Sequence, residues 1–169
     1  MKYLPLTVQD IPEIVALYKR VAAKPGGIAL LAEEVDEEYV EEFVARTISD
    51  GLGFVAREAE SGKLVGEIHA YRPGIYCFSH VLSGLRIAVD PEIQGQGVGR
   101  AIFEKLLSDV VCHYTDIKRV ELIVRESNTR AISFYESLGF VREGIFTGRI
   151  KNPDGTIESD IPMAWRRID

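Results

Sequence analysis

EIQGQGVGRA, residues 92–101, gives three of its ten positions to glycine, at Gly95, Gly97 and Gly99, with one residue between each pair. The stretch follows LRIAV, an apolar strand-like run, and precedes IFEKLL, which has helical spacing, so it lies where a strand hands over to a helix. If Val89 ends that strand and the helix begins near Gly97, the loop from Asp90 to Gln96 aims unpaired N–H groups and the positive end of the helix dipole at one point in solvent. Such a point attracts an anion. Bare backbone at 95, 97 and 99 lets a diphosphate approach the chain and tolerates the turn angles of a compact nest, with Gln94 and Arg100 as flanking polar arms. The competing reading is a tight turn with close helix–sheet packing. Three glycines at alternate positions favour the anion.

Neither common nucleotide motif fits the loop. A dinucleotide fingerprint needs G-x-G-x-x-G, and Arg100 stands where its third glycine belongs; a Walker A loop needs Gly-Lys-Ser/Thr, which is absent.

Outward from the loop, YLPLTV reads as a first strand. A helix from Asp10 follows, with Glu13 as capping-box partner and Ile11, Ile14, Val15, Tyr18, Val21 and Ala22 on its apolar face, broken by Lys24, Pro25, Gly26 and Gly27. A second helix, about Asp36 to Asp50, buries Val40, Phe43, Val44 and Ile48. Seven of the ten residues from Glu33 to Glu42 are acidic, a pattern that also suits a solvated helix face. GFVAREA and KLVGEIHAYRPG form an antiparallel hairpin about Glu60, Ser61 and Gly62, and a strand runs from about His80 to Val89. Past the glycines, a helix carries Ile102, Phe103, Leu106, Leu107, Val110 and Val111, and leads to the strand RVELIV at 119–124. That order is a parallel crossover. Asn128 caps a last helix, lined by Ala131, Ile132, Tyr135 and Leu138 and stopped by Gly139, with Phe140 folding back. Strands near 141–151 and 157–167 close the chain about a turn at Asn152, Pro153, Asp154 and Gly155. The expected fold is α/β: a mixed, mostly antiparallel central sheet with a parallel splayed strand pair and helices on both faces.

With 169 residues, 46% of them hydrophobic, residues 1–169 are expected to form a single domain. A net charge of −6 with scattered basic residues argues against nucleic acid as a partner. No segment approaches a membrane span or a signal peptide, so no membrane partner and a cytoplasmic location are expected. Cys77 and Cys112 have neither metal nor redox spacing, and no metal is expected.

Gln94-Gly95-Gln96-Gly97-Val98-Gly99 also spells Q-x-x-G-x-G. Here the sequence resembles the GNAT superfamily of acyl-CoA-dependent N-acyltransferases, whose pyrophosphate loop is R/Q-x-x-G-x-G/A. LRIAVDPEIQGQGVGRAIFEKLL resembles the strand–loop–helix core of that family, NTRAISFYESLGF resembles its second cofactor motif, and REGIFTGRIKNPDGTIESDIPMAW resembles the close of its small-molecule and spermidine-like branches. The resemblance implies an N-acetyltransferase that binds acetyl-CoA and transfers its acetyl group to a primary amine by direct attack. It places the pantetheine arm beside Ile87, Ala88 and Val89, where a bulged strand leaves backbone groups unmatched, and the diphosphate on residues 94–100, Val98 included. It also places Asn128 near the pantetheine, Arg130 and Ala131 near the far end of the cofactor, and Tyr135 beside the sulfur as general acid. The family often forms homodimers. A module that holds an acyl-CoA for sensing or assembly, without catalysis, is the alternative.

The chemistry needs a neutral amine, a stabilised oxyanion and a proton for the departing thiolate. An alkyl ammonium of pKa about 10.4 is almost wholly charged at pH 7, so a base is useful. Glu67 and His69, two apart on one strand, point to one face and Glu67 is the first candidate; His80 is another. The acidic run, if it lies over the acceptor entrance, would gather cations and favour a polyamine or a basic peptide N-terminus over an amino-acid-like small-molecule amine.

Overall fold

The structure is a computed structural model that describes residues 1–24 and 28–167. The chain runs β1 (Lys2–Pro5), α1 (Ile11–Ala22), α2 (Glu37–Asp50), β2 (Gly51–Arg57), β3 (Leu64–Tyr71), β4 (Val81–Val89), α3 (Val98–His113), β5 (Arg119–Arg125), α4 (Thr129–Ser137), β6 (Val141–Arg142), β7 (Phe146–Lys151) and β8 (Ile157–Arg166). The strands form one sheet in the order β1-β2-β3-β4-β5-β8-β6, with β7 also on β8. Every pairing is antiparallel except β4 with β5. Ile102, Phe103, Leu106 and Val110 of α3 and Ile132 of α4 pack on one face of the sheet; Ile14, Leu17 and Tyr18 of α1 and Val40, Phe43 and Val44 of α2 cover the other. The mixed sheet between two helical layers is the expected fold. No helix among the described residues is long and apolar enough to cross a membrane.

Several local expectations change. The α1 capping box is one turn earlier: the Asp10 carboxylate accepts from the Thr7 N–H at 2.8 Å, while Glu13 accepts from Arg57 and from the Leu64 N–H instead. Pro25, Gly26 and Gly27 lie outside the described residues, and Lys24 follows the end of α1. On α2, Ile48 is exposed and Thr47 buried. A Cβ on Gly53 would stand 2.8 Å from the Thr47 methyl, so the small residue packs against bare strand backbone, and its hydroxyl is satisfied by the Phe43 carbonyl at 2.7 Å. Val111 of α3 is likewise exposed, one position beyond the Ile102, Phe103, Leu106, Val110 stripe. The strand expected at 141–151 is broken at Gly144, with φ +158°, into β6 and β7.

Candidate active site

β4 and β5 pair at only two positions, Val81 with Arg119 and Leu82 with Val120, and then diverge. The cause lies in β4. His69 is opposite Arg86, yet Tyr71 is opposite Ser83, so β4 carries one residue more than β3 over that interval. The bulge centres on Gly84, with φ +63°, where a Cβ would lie 3.0 Å from the Tyr71 ring. Only glycine suits that position, and the added twist swings the rest of β4 away from β5. The Asp90 N–H bonds the Val65 carbonyl at 2.8 Å, and this fixes the phase of the ladder: Arg86 and Ala88 turn their backbone groups toward β3, while Ile87 and Val89 turn theirs into the gap. The gap opens into a cleft of about 1640 Å³.

At the end of β4 the chain enters the glycine loop. Asp90 anchors it: its buried carboxylate accepts from the Glu92 N–H and from Arg20, and lies 3.5 Å from Lys63. Burial alone would raise this carboxyl, but the Glu92 amide, Arg20 and Lys63 hold it below its ordinary value. Gly95 and Gly97 both have left-handed backbones, at φ +86° and +85°. A Cβ on Gly97 would meet nothing within 4 Å, so the space above the α3 N-terminus belongs to no protein atom. Gly97 is the N-cap of α3, the helix has no acidic residue in its first turn, and Arg100 and Arg130 both line the cleft there. Free N–H groups, a helix dipole and two guanidinium groups suit a diphosphate. The residues present therefore fit the phosphate end of a coenzyme A thioester.

On the far lip, Asn128 caps α4 by accepting from the Ala131 N–H at 3.1 Å. The Tyr135 ring packs among Phe103, Phe134 and Phe140, at centroid distances of 5.7, 5.5 and 6.1 Å, and also lines the cleft. Burial pushes its hydroxyl pKa up to about 12. This is a weaker acid than an ordinary tyrosine near 10.

Of the residues expected at the site, Ile87, Val89, Gln94, Gly95, Gly97, Gly99, Arg100, Asn128, Arg130, Ala131 and Tyr135 line one cleft. Four others do not. Val98, the first residue of α3, is buried in the core, the Ala88 side chain packs under α1 and α2, and Gln96 is exposed. Glu67 has no exposed surface: one carboxylate oxygen accepts from the Tyr18 hydroxyl at 2.7 Å and the other lies 2.9 Å from Nδ1 of His69. Glu67 and His69 do share a face, but α1 and α2 cover it, and Phe43 stacks on the His69 ring at 4.2 Å. Among these groups only Tyr18, above Glu67, lines the cleft. His80 precedes β4 at the closed end of the strand pair, where its carbonyl accepts from the Lys118 and Arg119 amides. Gln94 is exposed but folds back on the strand, its Nε2 donating to the Val89 carbonyl at 3.2 Å, so it braces the loop. Of the seven acids near α2, only Glu34 lines the cleft.

Other lining residues have no motif to announce them. Arg86, Glu121, Arg125, Arg149, Glu158 and Asp160 come from four strands. Arg125 pairs with Glu158 at 2.6 Å and Arg149 with Asp160 at 3.3 Å. Asp160 is buried, and burial raises its carboxyl above the ordinary value against the opposing pull of Arg149 and Arg125. The one available signal was the alternation at the end of the chain, which sets Glu158 and Asp160 on the face opposite Ile161 and Met163.

A splayed parallel pair, a glycine nest at the following helix and an aromatic hydroxyl on the next helix all border one cleft. The acetyltransferase (GNAT) family model matches residues 15–140, and the chain belongs to that family. It is 42% identical over 78 residues to the ribosomal protein bS18-alanine N-acetyltransferase of Escherichia coli K12, over 46% of this chain and 51% of that one. The chain thus spans about half the length of the curated relatives it matches first. Its fold is similar to that of a GNAT-family acetyltransferase from Streptococcus pneumoniae, with a TM-score of 0.87, 20% identity and coverage of 98% of this chain and 99% of that one. It is also similar to yncA of Salmonella typhimurium, solved with its cofactor acetyl-CoA, with a TM-score of 0.84, 18% identity and coverage of 100% and 95%.

Proposed function

We propose that this protein is an acetyl-CoA-dependent N-acetyltransferase that acts on a primary amine by direct attack in a ternary complex. The observation that carries the reading is the edge of β4 at Ile87 and Val89, which has no strand partner and leads directly into the Gly95–Gly97 nest. Acetyl-CoA supplies an activated acyl group with a thiol leaving group. Backbone groups of Ile87 and Val89 hold the amides of the arm as a neighbouring strand would, and an N–H of the same edge stabilises charge on the carbonyl oxygen. The Gly95–Arg100 loop and Arg130 hold the phosphates. Tyr135 donates a proton at the sulfur. With its pKa at about 12, transfer to a thiolate of pKa near 8.5 is about 3.5 pH units uphill, or about 5 kcal/mol. A barrier near 16 kcal/mol corresponds to about 10 turnovers per second, so the step is compatible with ordinary catalysis. Burial in the same site also raises the proton affinity of the sulfur and narrows the gap.

For the proton of the amine, Glu67 reaches the cleft only through Tyr18, whereas Asp160 lines it with a raised pKa. We assign Asp160 as the base. A base must be deprotonated to act, so kcat falls as pH drops through the pKa of Asp160, and a raised value puts that acid limb above the usual carboxylate range near 3.9. In Asp160→Asn the limb disappears or moves by more than about one pH unit. A limb that survives there and is lost in Glu67→Gln returns the proton to the Tyr18–Glu67 pair. Thermal shifts with acetyl-CoA, CoA, NAD and ATP test the parent reading first, since a ligand at a hundred times its Kd adds about 2.7 kcal/mol. Stabilisation by acetyl-CoA and CoA alone, followed by amine-dependent thiol release, is expected. Stabilisation without thiol release from a broad amine panel leaves a binding module, and stabilisation by NAD or ATP alone overturns both.

A further inference from the structure

The acceptor must approach the thioester from one side. The α3–α4 face of the sheet is filled by core, with Leu85 buried in it and Ile87 and Val89 packed against it, so the open approach is the face shared by Arg86 and covered in part by α1 and α2. Arg86 is next to Ile87, with the two Cα atoms about 3.8 Å apart, and its side chain is exposed. Its neighbours on that face are His69, directly opposite on β3, the Tyr39 ring of α2, with the guanidinium carbon 5.7 Å from its centroid, and Tyr18 of α1.

Arg86, like Arg130 at the phosphate end of the cleft, has no carboxylate partner among the described residues. Arg125 and Arg149, across the cleft, are each paired with a carboxylate, Glu158 and Asp160, and Arg100 at the phosphate end contacts Glu104 at 3.2 Å. Among the described residues, no carboxylate lies within ion-pair distance of Arg86, and its one hydrogen bond is donated to the Tyr39 hydroxyl. Glu67 lies beneath this face, opposite Ala88, but its two oxygens are taken by Tyr18 and His69. A guanidinium has five N–H donors in a planar fork that matches a carboxylate. Arg86 therefore presents a largely uncommitted fork one residue from the backbone that would hold the thioester. Such a charge repels a polycation and gives a peptide N-terminus only a neutral hydrogen bond, since its neighbouring carbonyl is an uncharged amide. It favours an amine that carries a carboxylate close by, as a free α-amino acid does.

On the acetyltransferase reading, we propose that Arg86 anchors a carboxylate of the acceptor, so that the substrate is a free amino acid or a similar amino carboxylate. Matched triplets test this: an amino acid, its amide and its decarboxylated amine, with aliphatic, sulfur-containing, aromatic and acidic side chains. Thiol release is followed with the parent chain, Arg86→Leu and Arg86→Lys. A second readout, the melting temperature of the CoA complex with each compound added, does not depend on turnover. The expected result is a preference of at least about tenfold in kcat/KM for the acid over its amide and its amine, about 1.4 kcal/mol. That preference falls to about one in Arg86→Leu through KM and is partly kept in Arg86→Lys, and the acid alone raises the melting temperature of the CoA complex. An amide or amine used as well as the acid, or a preference that Arg86→Leu leaves intact, overturns the assignment even when acetyl transfer is plain, and preference for the amide points to a peptide N-terminus. If no compound in the panel is acetylated while acetyl-CoA binds, this assignment falls, and thiol release with the broad amine panel decides the enzymatic reading separately; if acetyl-CoA does not bind, both fall.

Discussion

Tyr135→Phe lowers kcat about a hundredfold and changes the affinity for acetyl-CoA by no more than about twofold, because the hydroxyl is a proton donor to the leaving group and a positioned acid typically contributes at least that much. The ring itself stays: Phe keeps the contacts with Phe103, Phe134 and Phe140 that hold α4 against α3. The hydroxyl has no protein partner among the described residues, so its removal orphans nothing. The pH dependence separates this role from packing. Tyrosine must be protonated to donate, and with a pKa of about 12 it remains so through pH 10. The ratio of parent to variant kcat is therefore flat from pH 6 to 10, with no alkaline limb from this group. Turnover near that of the parent, measured with a substrate for which chemistry limits the rate, would return Tyr135 to the aromatic cluster.

Gly97→Glu weakens acetyl-CoA binding about a hundredfold, or about 2.7 kcal/mol. The new carboxylate enters the space above the α3 N-terminus, where it competes with a diphosphate for the same N–H groups and repels it. The left-handed backbone at φ +85° adds a folding cost of about 1–2 kcal/mol for any residue with a Cβ. Gly62→Glu is the control: Gly62 has φ +73° and equally open space, in the β2–β3 turn, so it carries a similar folding cost away from the cleft. Calorimetric titration of both variants should show comparable losses of stability with affinity lost only at position 97. Undiminished binding in folded Gly97→Glu rejects the cradle.

The parts of the site that could be read in advance are those whose chemistry is local in the chain. The glycine loop declares a strand-to-helix turn by its composition, and Asn128 to Phe140 declares a capped and terminated helix. Arg86, Asp160 and Tyr18 meet only through sheet register and helix packing, so no window of sequence contains them together. β4 resists reading for a further reason. Leu82 and Leu85 both face the α3 core although three residues apart, because the Gly84 bulge shifts the alternation; a strict period of two would send Leu85 to the wrong side. Glu67 shows the opposite limit. Alternation correctly set it beside His69, but whether that face was open or roofed depended on how α1 and α2 dock, which periodicity does not encode. The acidic run is a case of the same kind: its charges are legible in the chain, but that only Glu34 of the seven lines the cleft depends on how the segment docks.

The two-position seam between β4 and β5 also has a mechanical meaning. The sheet is two stiff ribbons, β1 to β4 and β5 to β8, stitched directly at Val81–Leu82 and Arg119–Val120 and bridged by the helix α3. A joint that short resists shear along the strands but offers little stiffness against opening like a pair of jaws, whose pivot lies at the closed end near His80 and whose tips are Val89 and Arg125. The amide-bearing arm of a coenzyme A thioester laid along the inner edge of β4 would act as a splint across the jaws, setting the angle at which Arg86 on one ribbon faces Asp160 on the other. Loading the first substrate would then also finish the tool that grips the second.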